Sequence, residues 1–374
     1  MSDKEDLGAA VGQAMTVKLG KIRDRIDAID TQILQLLSDR ANCAEEVAVT
    51  KREAGETDIK FYRPEREAQI LRRVSETNNG PLADERVTAI FREIISSCLA
   101  LEQQLKVAYL GPAGTFTEEA AKKHFGTAVS VSPFAIISEV FREVEAGSSD
   151  YGVVPIENST GGIVSDSLDC FLSSSLHICG EIQIAINQNL MSVRGDMTDV
   201  TRIYSHKQSL TQCRGWLDMH HAGIERIEVK SNAEAAKLAA ADSTAAAIAG
   251  ENAAGLYDLK IVSAHIQDNP NNVTRFLVIG KHEVPASGDD KTSLMISTRN
   301  RSGALYHLLA PLKHHGLDMT RIESRPSPDA QWDYFFFLDV NGHISSEKMQ
   351  LAMEDLKAES DYIRVLGSYA KAIM

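Results

Sequence analysis

The chain has 374 residues, about two and a half typical domain lengths, which predicts two or three domains. Hydrophobic residues make up 43% and charged residues 24% of it, values that exclude a collagen-like, low-complexity or wholly disordered protein. The formal net charge is -13. With no overall positive field to attract a phosphate backbone, nucleic acid is not an expected partner.

The sequence predicts neither membrane nor metal binding. No run approaches 18 consecutive apolar residues, and acidic residues occupy the N-terminal stretch where a secretory leader would be basic. We therefore expect a cytoplasmic protein. The five cysteines, at positions 43, 98, 170, 179 and 213, form no CxxC pair, which favours reduced thiols over a disulfide or zinc framework.

The first module, residues 15–105, is predicted to consist of three helices. Apolar residues from Ile22 to Val47 recur in steps of four and three, which predicts a helix over about residues 16–54. Such a helix would be roughly 60 Å long, too long to bury its apolar stripe within ninety residues. A partner chain is therefore implied. Gly55 is expected to end this helix, and Pro64 to begin the next.

Cations interrupt the apolar stripe of the long helix. Arg40 lies on the stripe itself, and Lys51, eleven residues later, is only about 20° away around the helix. The two cations can therefore bind one anion, although each could instead pair with an acidic neighbour or extend its charged end to water. Arg23 lies about 100° away from Arg40, so it can serve the same pocket only from another protomer.

These residues carry a recognisable pattern between about residues 19 and 104. An Arg in the opening turn is followed by IDxxDxxILxLLxxR, a Lys eleven residues further on, and YRPERE. The pattern resembles the helical chorismate mutase domain of the bifunctional chorismate mutase/prephenate dehydratase family. The resemblance implies that two chains intertwine through this domain as a homodimer, and it leaves open whether dimers pair into tetramers.

The resemblance also implies residue roles for binding chorismate, a dianion whose rearrangement needs positioning and electrostatics but no protein nucleophile. The implied residues are Arg23 and Arg40 for the two carboxylates, Lys51 and Glu102 for the ether oxygen, Glu67 for the ring hydroxyl, and Arg63 and Cys98 lining the pocket. Other members have Gln in place of Glu102 and Ser in place of Cys98. A carboxyl group donates a hydrogen bond only when protonated, so we expect mutase activity to depend on the pKa of Glu102.

The second module, residues 106–282, alternates short apolar strands with helices. This alternation predicts parallel βαβ layers with ligand groups on the turns that follow the strands. The module contains no Gly-Lys-Ser/Thr after a glycine turn and no GxGxxG, so neither ATP nor NAD is expected.

Four motifs of this module, GPAGTF at 111–116, VPIENSTGG at 154–162, YSHKQ at 204–208 and TRF at 274–276, would each alone be typical of ordinary turns and strand ends. Together they resemble prephenate dehydratase over about residues 106–280. The resemblance implies a two-lobed α/β fold like that of periplasmic binding proteins, and an activity that needs no metal or organic cofactor.

For the dehydratase site, the resemblance implies that Thr274 is the essential hydroxyl, a proton donor to the leaving group, and that Arg275 clamps a substrate carboxylate. The implied cleft residues are Thr115, Glu157, Asn158, Ser159, His206 and Gln208. An isolated histidine after a strand is more often a hydrogen-bonded structural group than an acid or base, so both roles stay open for His206.

The third module, residues 291–374, reads strand–helix–strand–strand–helix–strand, the ferredoxin-like order. It resembles an ACT domain. The motifs that match phenylalanine-binding positions of such domains are Gly303, Ala304 and Leu305, and Glu323, Ser324 and Arg325. The resemblance implies that phenylalanine binds at a dimer interface of this module and inhibits dehydration.

The sequence therefore predicts a bifunctional enzyme of phenylalanine biosynthesis, which rearranges chorismate to prephenate and then decarboxylates and dehydrates prephenate to phenylpyruvate. The alternative is a cytoplasmic amino-acid sensor without turnover. Thr274 and the cations near YRPERE favour the enzyme. A fusion to a prephenate dehydrogenase is disfavoured because the dinucleotide fingerprint is missing.

Overall fold

The computed structural model describes residues 2–53, 61–298, 302–327 and 334–372. Its contacts divide the chain into two compact units. The first unit contains residues up to Phe61 together with Ser97–Gln103, and the second contains Tyr62–Ser96 and everything from Gln104 onward. The division differs from the predicted module boundary near residue 105, because most of the second and third helices group with the sheets that follow them.

In the described part of the chain before the first strand there are three helices, α1 (Ser2–Glu53), α2 (Pro64–Thr77) and α3 (Asp84–Glu102). Helix α1 begins well before the predicted residue 16, and the predicted stop at Gly55 lies outside the described residues. Helix α2 begins at Pro64 as predicted, since proline has a suitable backbone angle and its missing N–H is not needed at this position.

The first sheet of the second unit has six strands. The sequence predicted a parallel sheet, but this sheet is mixed. Its strands are β1 (Lys106–Leu110), β2 (Ser130–Phe134), β3 (Tyr151–Asn158), β4 (Gly162–Ile163), β5 (His177–Ala185) and β11 (Val273–Gly280). The order is β2-β1-β3-β11-β5, with β4 beside β3. Strand β1 runs parallel to β2 and β3, whereas β11 runs antiparallel to both of its neighbours. The accompanying helices are α4 (Phe116–Phe125), α5 (Ile137–Ala146) and α6 (Ser165–Ser173).

The second sheet has five strands in the order β10-β6-β9-β7-β8. They are β6 (Asn189–Ser192), β7 (Arg202–His206), β8 (Glu225–Val229), β9 (Ala245–Ala249) and β10 (Lys260–Ser263). The helices that accompany this sheet are α7 (Lys207–Gln212), α8 (Arg214–His220), α9 (Asn232–Ala240) and α10 (Glu251–Leu256). Strand β9 is fully buried, and its small side chains let α9 pack closely against the sheet.

The C-terminal sheet is antiparallel, with the order β13-β14-β12-β15. Its elements are β12 (Asp290–Thr298), α11 (Ala304–His314), β13 (Met319–Pro326), β14 (Tyr334–Asn341), α12 (Glu347–Glu359) and β15 (Tyr362–Ala370). This is the predicted βαββαβ order. We call residues 290–372 the C-terminal module.

Alternate residues of the C-terminal sheet face two different cores, as expected for strands buried on both sides. Leu294 and Leu338 pack with apolar residues of α11 and α12. Met295 and Phe337, their neighbours in sequence, pack instead with Leu277 and other residues of the first sheet. The C-terminal module is thus joined to the strand that carries the TRF motif.

Candidate functional site

A cleft of about 630 Å³ opens among residues of the first and second sheets. Strand ends and helix starts converge on it, as expected for α/β sheets. Of the predicted dehydratase residues, the cleft is lined by Thr115, Asn158, His206, Gln208 and Thr274. The sequence motifs, although far apart in the chain, are therefore brought to one cavity.

Thr274 and Asn158 are cross-strand neighbours on β11 and β3, and both are about nine-tenths buried. The Asn158 amide nitrogen Nδ2 donates to Thr274 Oγ1 at 2.8 Å. The Asn158 oxygen Oδ1 accepts the backbone N–H groups of Thr160 and Gly161, which fixes the orientation of the amide. Because its oxygen accepts a hydrogen bond, the Thr274 hydroxyl keeps its own proton to donate.

Gln208 approaches the same amide from the second sheet's side of the cleft. Its Nε2 atom lies 3.3 Å from Asn158 Oδ1. A Cβ atom on Gly161 would lie only 2.0 Å from that nitrogen, so glycine leaves the space that Gln208 occupies. His206 precedes helix α7, where its Nδ1 accepts the backbone N–H of Gln208 at 3.3 Å. This contact gives His206 a structural role while the side chain lines the cleft.

Thr115 begins helix α4 on the β1 side of the cleft. Its Oγ1 accepts the backbone N–H of Glu118 and donates to the Leu110 carbonyl at 3.2 Å. The hydroxyl is therefore an N-cap, and the first turn of α4, with Phe116 and Thr117, faces the cleft.

Three predicted cleft residues lie elsewhere. Arg275, expected to clamp a substrate carboxylate, does not line the cleft, and its guanidinium bonds to Glu181, Asp339 and Tyr369. Adjacent residues of a strand point to opposite faces, so the residue next to Thr274 cannot share the cleft. The side chains of Glu157 and Asn158 likewise lie on opposite faces of β3.

The side chains of Glu157 and Ser159 have identifiable partners outside the cleft. Glu157 Oε2 lies 3.2 Å from Arg321 Nε on β13. Ser159 Oγ accepts the backbone N–H of Val273 and donates to the Asn271 carbonyl, so it ties the loop after β3 to the start of β11. Both were expected to line the cleft, and neither does.

The sequence reasoning missed several polar residues of the cleft. Lys230 follows β8, and Asn232 is the first residue of α9. Asn232, Gln188 and Ser209 form a hydrogen-bonded group, in which Asn232 Nδ2 and Gln188 Nε2 both donate to Ser209 Oγ. The rule that ligand groups follow strand ends points to Lys230, which comes directly after β8. Among the described residues that line the cleft, Lys230 is the one lysine or arginine.

In the first unit, Arg40, Lys51 and Glu102 come together. Burial raises the pKa of Glu102, and the charges of Lys51 and Arg40 partly oppose this rise. Oε2 of Glu102 is buried without a hydrogen-bond partner among the described residues. Cys98, one turn earlier on α3, is 7% exposed. The roles of Arg40, Lys51, Cys98 and Glu102 in binding chorismate stay predictions.

Arg23 is exposed on α1. It precedes Arg40 by seventeen residues, which places it about 25 Å away along a helix. Arg23 therefore cannot reach the Arg40 group of its own chain.

Arg63 and Glu67 belong to the second unit. Arg63 is half exposed and pairs with Glu65. Glu67 lines a cavity of about 220 Å³ with Arg92, His124 and Glu181, and its carboxylate lies 3.8 Å from Arg92 Nε. Burial raises the pKa of Glu67 to about 7, although Arg92 opposes the rise. The predicted contact of Glu67 with a chorismate hydroxyl stays a prediction.

In the C-terminal module, Gly303 precedes α11 with φ of 79°, a left-handed conformation that favours glycine. Ala304 and Leu305 form the first turn of that helix, and Glu323 and Ser324 lie on β13. The predicted contact of these residues and of Arg325 with phenylalanine stays a prediction.

The Arg325 guanidinium is already bound to a carboxylate. It makes a two-point contact with Asp169 at 2.7 and 2.8 Å and also bonds to Ser165 Oγ. This planar two-point geometry is characteristic of an arginine–carboxylate pair. Arg325 therefore joins β13 to α6.

Within the described residues, no helix is long and apolar enough to cross a membrane. No group of three or more His, Cys, Asp or Glu side chains in that part of the chain is arranged to hold a metal ion.

Comparison with known proteins matches two families in chain order. Residues 22–103 match the family "Chorismate mutase type II", and residues 107–284 match "Prephenate dehydratase". The bifunctional chorismate mutase/prephenate dehydratase of Pseudomonas aeruginosa is 52% identical over 361 residues, covering 96% of this chain and 99% of that protein. The Escherichia coli protein of the same name is 32% identical, covering 93% and 95%.

A solved structure is also similar. The prephenate dehydratase of Arthrobacter aurescens, determined in complex with L-Phe, has a TM-score of 0.67 and 32% sequence identity, and the match covers 72% of this chain and 90% of that one. With both family matches in order and full-length relatives of this identity, the chain belongs to the bifunctional chorismate mutase/prephenate dehydratases, enzymes that combine an isomerase and a lyase.

Proposed function

We propose that the cleft around Thr274 is where prephenate loses carbon dioxide and water to give phenylpyruvate. The ring–carboxylate bond breaks, its electron pair makes the ring aromatic, and the ring hydroxyl leaves as water after gaining one proton. The observation that carries the proposal is the hydrogen bond from Asn158 Nδ2 to Thr274 Oγ1. Because Thr274 accepts from Asn158, its proton is available to the departing hydroxyl.

The substrate carboxylates need partners other than Arg275. Lys230 supplies a positive charge at the edge of the cleft, and the first turns of α4 and α9 face the same cavity. Helix starts carry unpaired N–H groups and a partial positive charge, which suit carboxylates. We assign carboxylate binding to these groups.

For the mutase reaction, the proposed site combines Arg40, Lys51 and Glu102 of one chain with Arg23 of a second copy. The electrostatic coupling of the first three residues supports it. Homodimerisation through α1 is supported by the exposure of its apolar stripe, where Ile22, Ile26, Ile29 and Ile33 are 42% to 50% exposed.

Phenylalanine inhibition is proposed to act through the C-terminal module, and the βαββαβ order of this module supports its assignment as an ACT domain. The L-Phe complex of the Arthrobacter aurescens enzyme supports a phenylalanine ligand for this chain. Binding would involve the loop at Gly303 and the edge strand β13 of a dimer. A cytoplasmic location stays a prediction that cell fractionation would test.

The function is tested by supplying chorismate and following prephenate and phenylpyruvate. The wild-type protein is expected to form phenylpyruvate, whereas Thr274→Ala should accumulate prephenate, with dehydratase kcat lowered about a thousandfold. Thr274→Ser, which keeps the hydroxyl, is the matched control and should retain much of the activity. A wild-type protein that binds phenylalanine without turnover would support the sensor instead, and near-normal dehydration by Thr274→Ala would contradict the role of Thr274.

A further inference from the structure

Strand β11 presents two consecutive residues to opposite faces. Thr274 lines the cleft, whereas Arg275 lines a small internal cavity with Ser293, Arg321 and Asp339 of the C-terminal module. The side chain beside Thr274 is therefore held by a different part of the protein.

Strand β3 repeats this arrangement beside β11. Asn158, paired with Thr274, lines the cleft, while Glu157, paired with Arg275, meets Arg321. The register between the strands shifts next to the Arg275–Glu157 pair, and such bulges redirect side chains near functional sites. Both side chains of the Thr274–Asn158 hydrogen bond thus have a sequence neighbour fixed to the C-terminal module.

The contacts of Arg275 form what we call the charge cluster, consisting of Arg275, Glu181, Lys291 and Asp339. Arg275 Nε donates to Glu181 Oε2 at 2.7 Å and Nη1 bonds to Asp339, while Lys291 Nζ donates to Glu181 at 2.8 Å. These side chains are 12%, 2%, 11% and 5% exposed for Arg275, Glu181, Lys291 and Asp339. Two cations therefore balance two carboxylates in a nearly water-free setting.

Hydroxyl groups complete the charge cluster from the C-terminal sheet. Tyr369 Oη accepts from Arg275 Nη2 at 3.0 Å and contacts Ser293 Oγ, which in turn bonds to Asp339. Burial alone would raise the pKa of Asp339, but Arg275 and Ser293 outweigh it, so the pKa lies below its usual value. Asp339 thus remains charged, and Arg275 keeps a fixed partner on β14.

We propose that Arg275 is a positioning residue for dehydration, through which the C-terminal module holds Thr274 and Asn158 in place and phenylalanine alters their alignment. This inference rests on the proposed function. A ligand that favours another arrangement of the module shifts the equilibrium toward it. Moving Asp339 and Tyr369 displaces Arg275, and misplacement of a reacting group by about 1 Å is enough to slow catalysis severely.

One contact of the C-terminal module involves neither β3 nor β11. Arg364 donates to the carbonyls of Phe171 and Leu176, in α6 and the segment after it. Replacing Arg364 therefore provides a matched control. It removes an arginine that anchors the same module, but this arginine does not touch the charge cluster.

The test compares Asp339→Asn, Tyr369→Phe and Arg364→Gln in the full-length protein. Dehydratase kcat and KM, phenylalanine binding by calorimetry and phenylalanine inhibition are measured, with mutase activity and thermal unfolding as controls for folding. Asp339→Asn should lower kcat about tenfold with KM changed less than about twofold. Phenylalanine should still bind, but its inhibition constant should rise at least about fivefold relative to its dissociation constant.

Tyr369→Phe removes one hydroxyl and preserves the ring. It should lower dehydratase kcat, and raise the phenylalanine inhibition constant relative to the dissociation constant, by about threefold each. This variant decides the question if Asp339→Asn does not fold. Arg364→Gln should retain the wild-type coupling. Unchanged kcat and inhibition in the folded charge-cluster variants, or equal losses in Arg364→Gln, would overturn the inference. These outcomes require an active wild-type enzyme; a wild-type protein without dehydration would instead refute the proposed function and the inference with it.

Discussion

The two candidate active sites differ in how firmly the described residues hold their key side chains. At the dehydratase cleft, Asn158 is held by two backbone N–H groups and in turn holds Thr274. In the first unit, the charges of Arg40 and Lys51 act on the carboxyl group of Glu102, whose Oε2 has no hydrogen-bond partner among the described residues. Two paired strands can preorganise a site within one chain, whereas the mutase site that we propose needs Arg23 from the exposed α1 of a second copy.

The largest effect expected on mutase activity comes from variants that test whether the mutase site needs two chains. Arg23→Ala and Arg40→Ala should each lower mutase activity on the order of 100-fold or more, because each removes a charge from the dianion's partners. Mixing and reassociating the two inactive variants should restore about a quarter of wild-type activity, since half of the dimers would be mixed and one of their two sites intact.

Dehydratase activity is the internal control for this complementation, and both variants should keep it. Failure of the mixture to recover any activity, although the subunits exchange, would contradict a site shared between chains. Full activity of Arg23→Ala alone would contradict it as well.

A smaller effect is expected at the cleft from Gly161→Ala. The new Cβ would displace Gln208 from Asn158, because it would lie 2.0 Å from Gln208 Nε2. Dehydratase kcat should fall about tenfold, and the double variant with Gln208→Ala should show less than the sum of the two single effects because the collision is relieved. Strict additivity in steady-state kinetics would mean that the two residues do not interact.

The smallest expected effect concerns pH. Burial raises the pKa of Glu102, and only its protonated form can donate to the chorismate ether oxygen. Mutase activity should therefore fall as the pH rises through that pKa, and Glu102→Gln should flatten the profile, since an amide donates at every pH. The profile of kcat/KM against pH measures this directly, and identical profiles for the two proteins would remove the assignment.

The sequence predicted those parts of the fold that depend on local patterns. Proline at position 64 marked a helix start, and the βαββαβ order was readable from alternating apolar segments. The mixed pairing of the first sheet could not be predicted, because β11 lies between β3 and β5 in the sheet but more than eighty residues away from both in the chain. Pairing between such distant segments leaves no local pattern.

Site residues were predictable where a motif places a side chain on the cleft face of a strand. Thr274 and Asn158 satisfy this condition, whereas Arg275 and Glu157 belong to the same motifs but point the other way. Because successive side chains of a strand point to opposite faces, this rule would have assigned Thr274 and Asn158 to one face and Arg275 and Glu157 to the other. Their partners Asp339 and Arg321 could not be identified, because they come from strands of another sheet.

The most direct test of the account is the dehydratase kcat of Asn158→Asp. An ionised aspartate would still accept the backbone N–H groups of Thr160 and Gly161, but it would also accept the proton of Thr274 instead of donating to its oxygen. The account predicts that kcat falls about a hundredfold or more, with KM and mutase activity nearly unchanged. A kcat close to that of the wild-type enzyme would contradict the claim that Asn158 frees the Thr274 proton for the leaving hydroxyl.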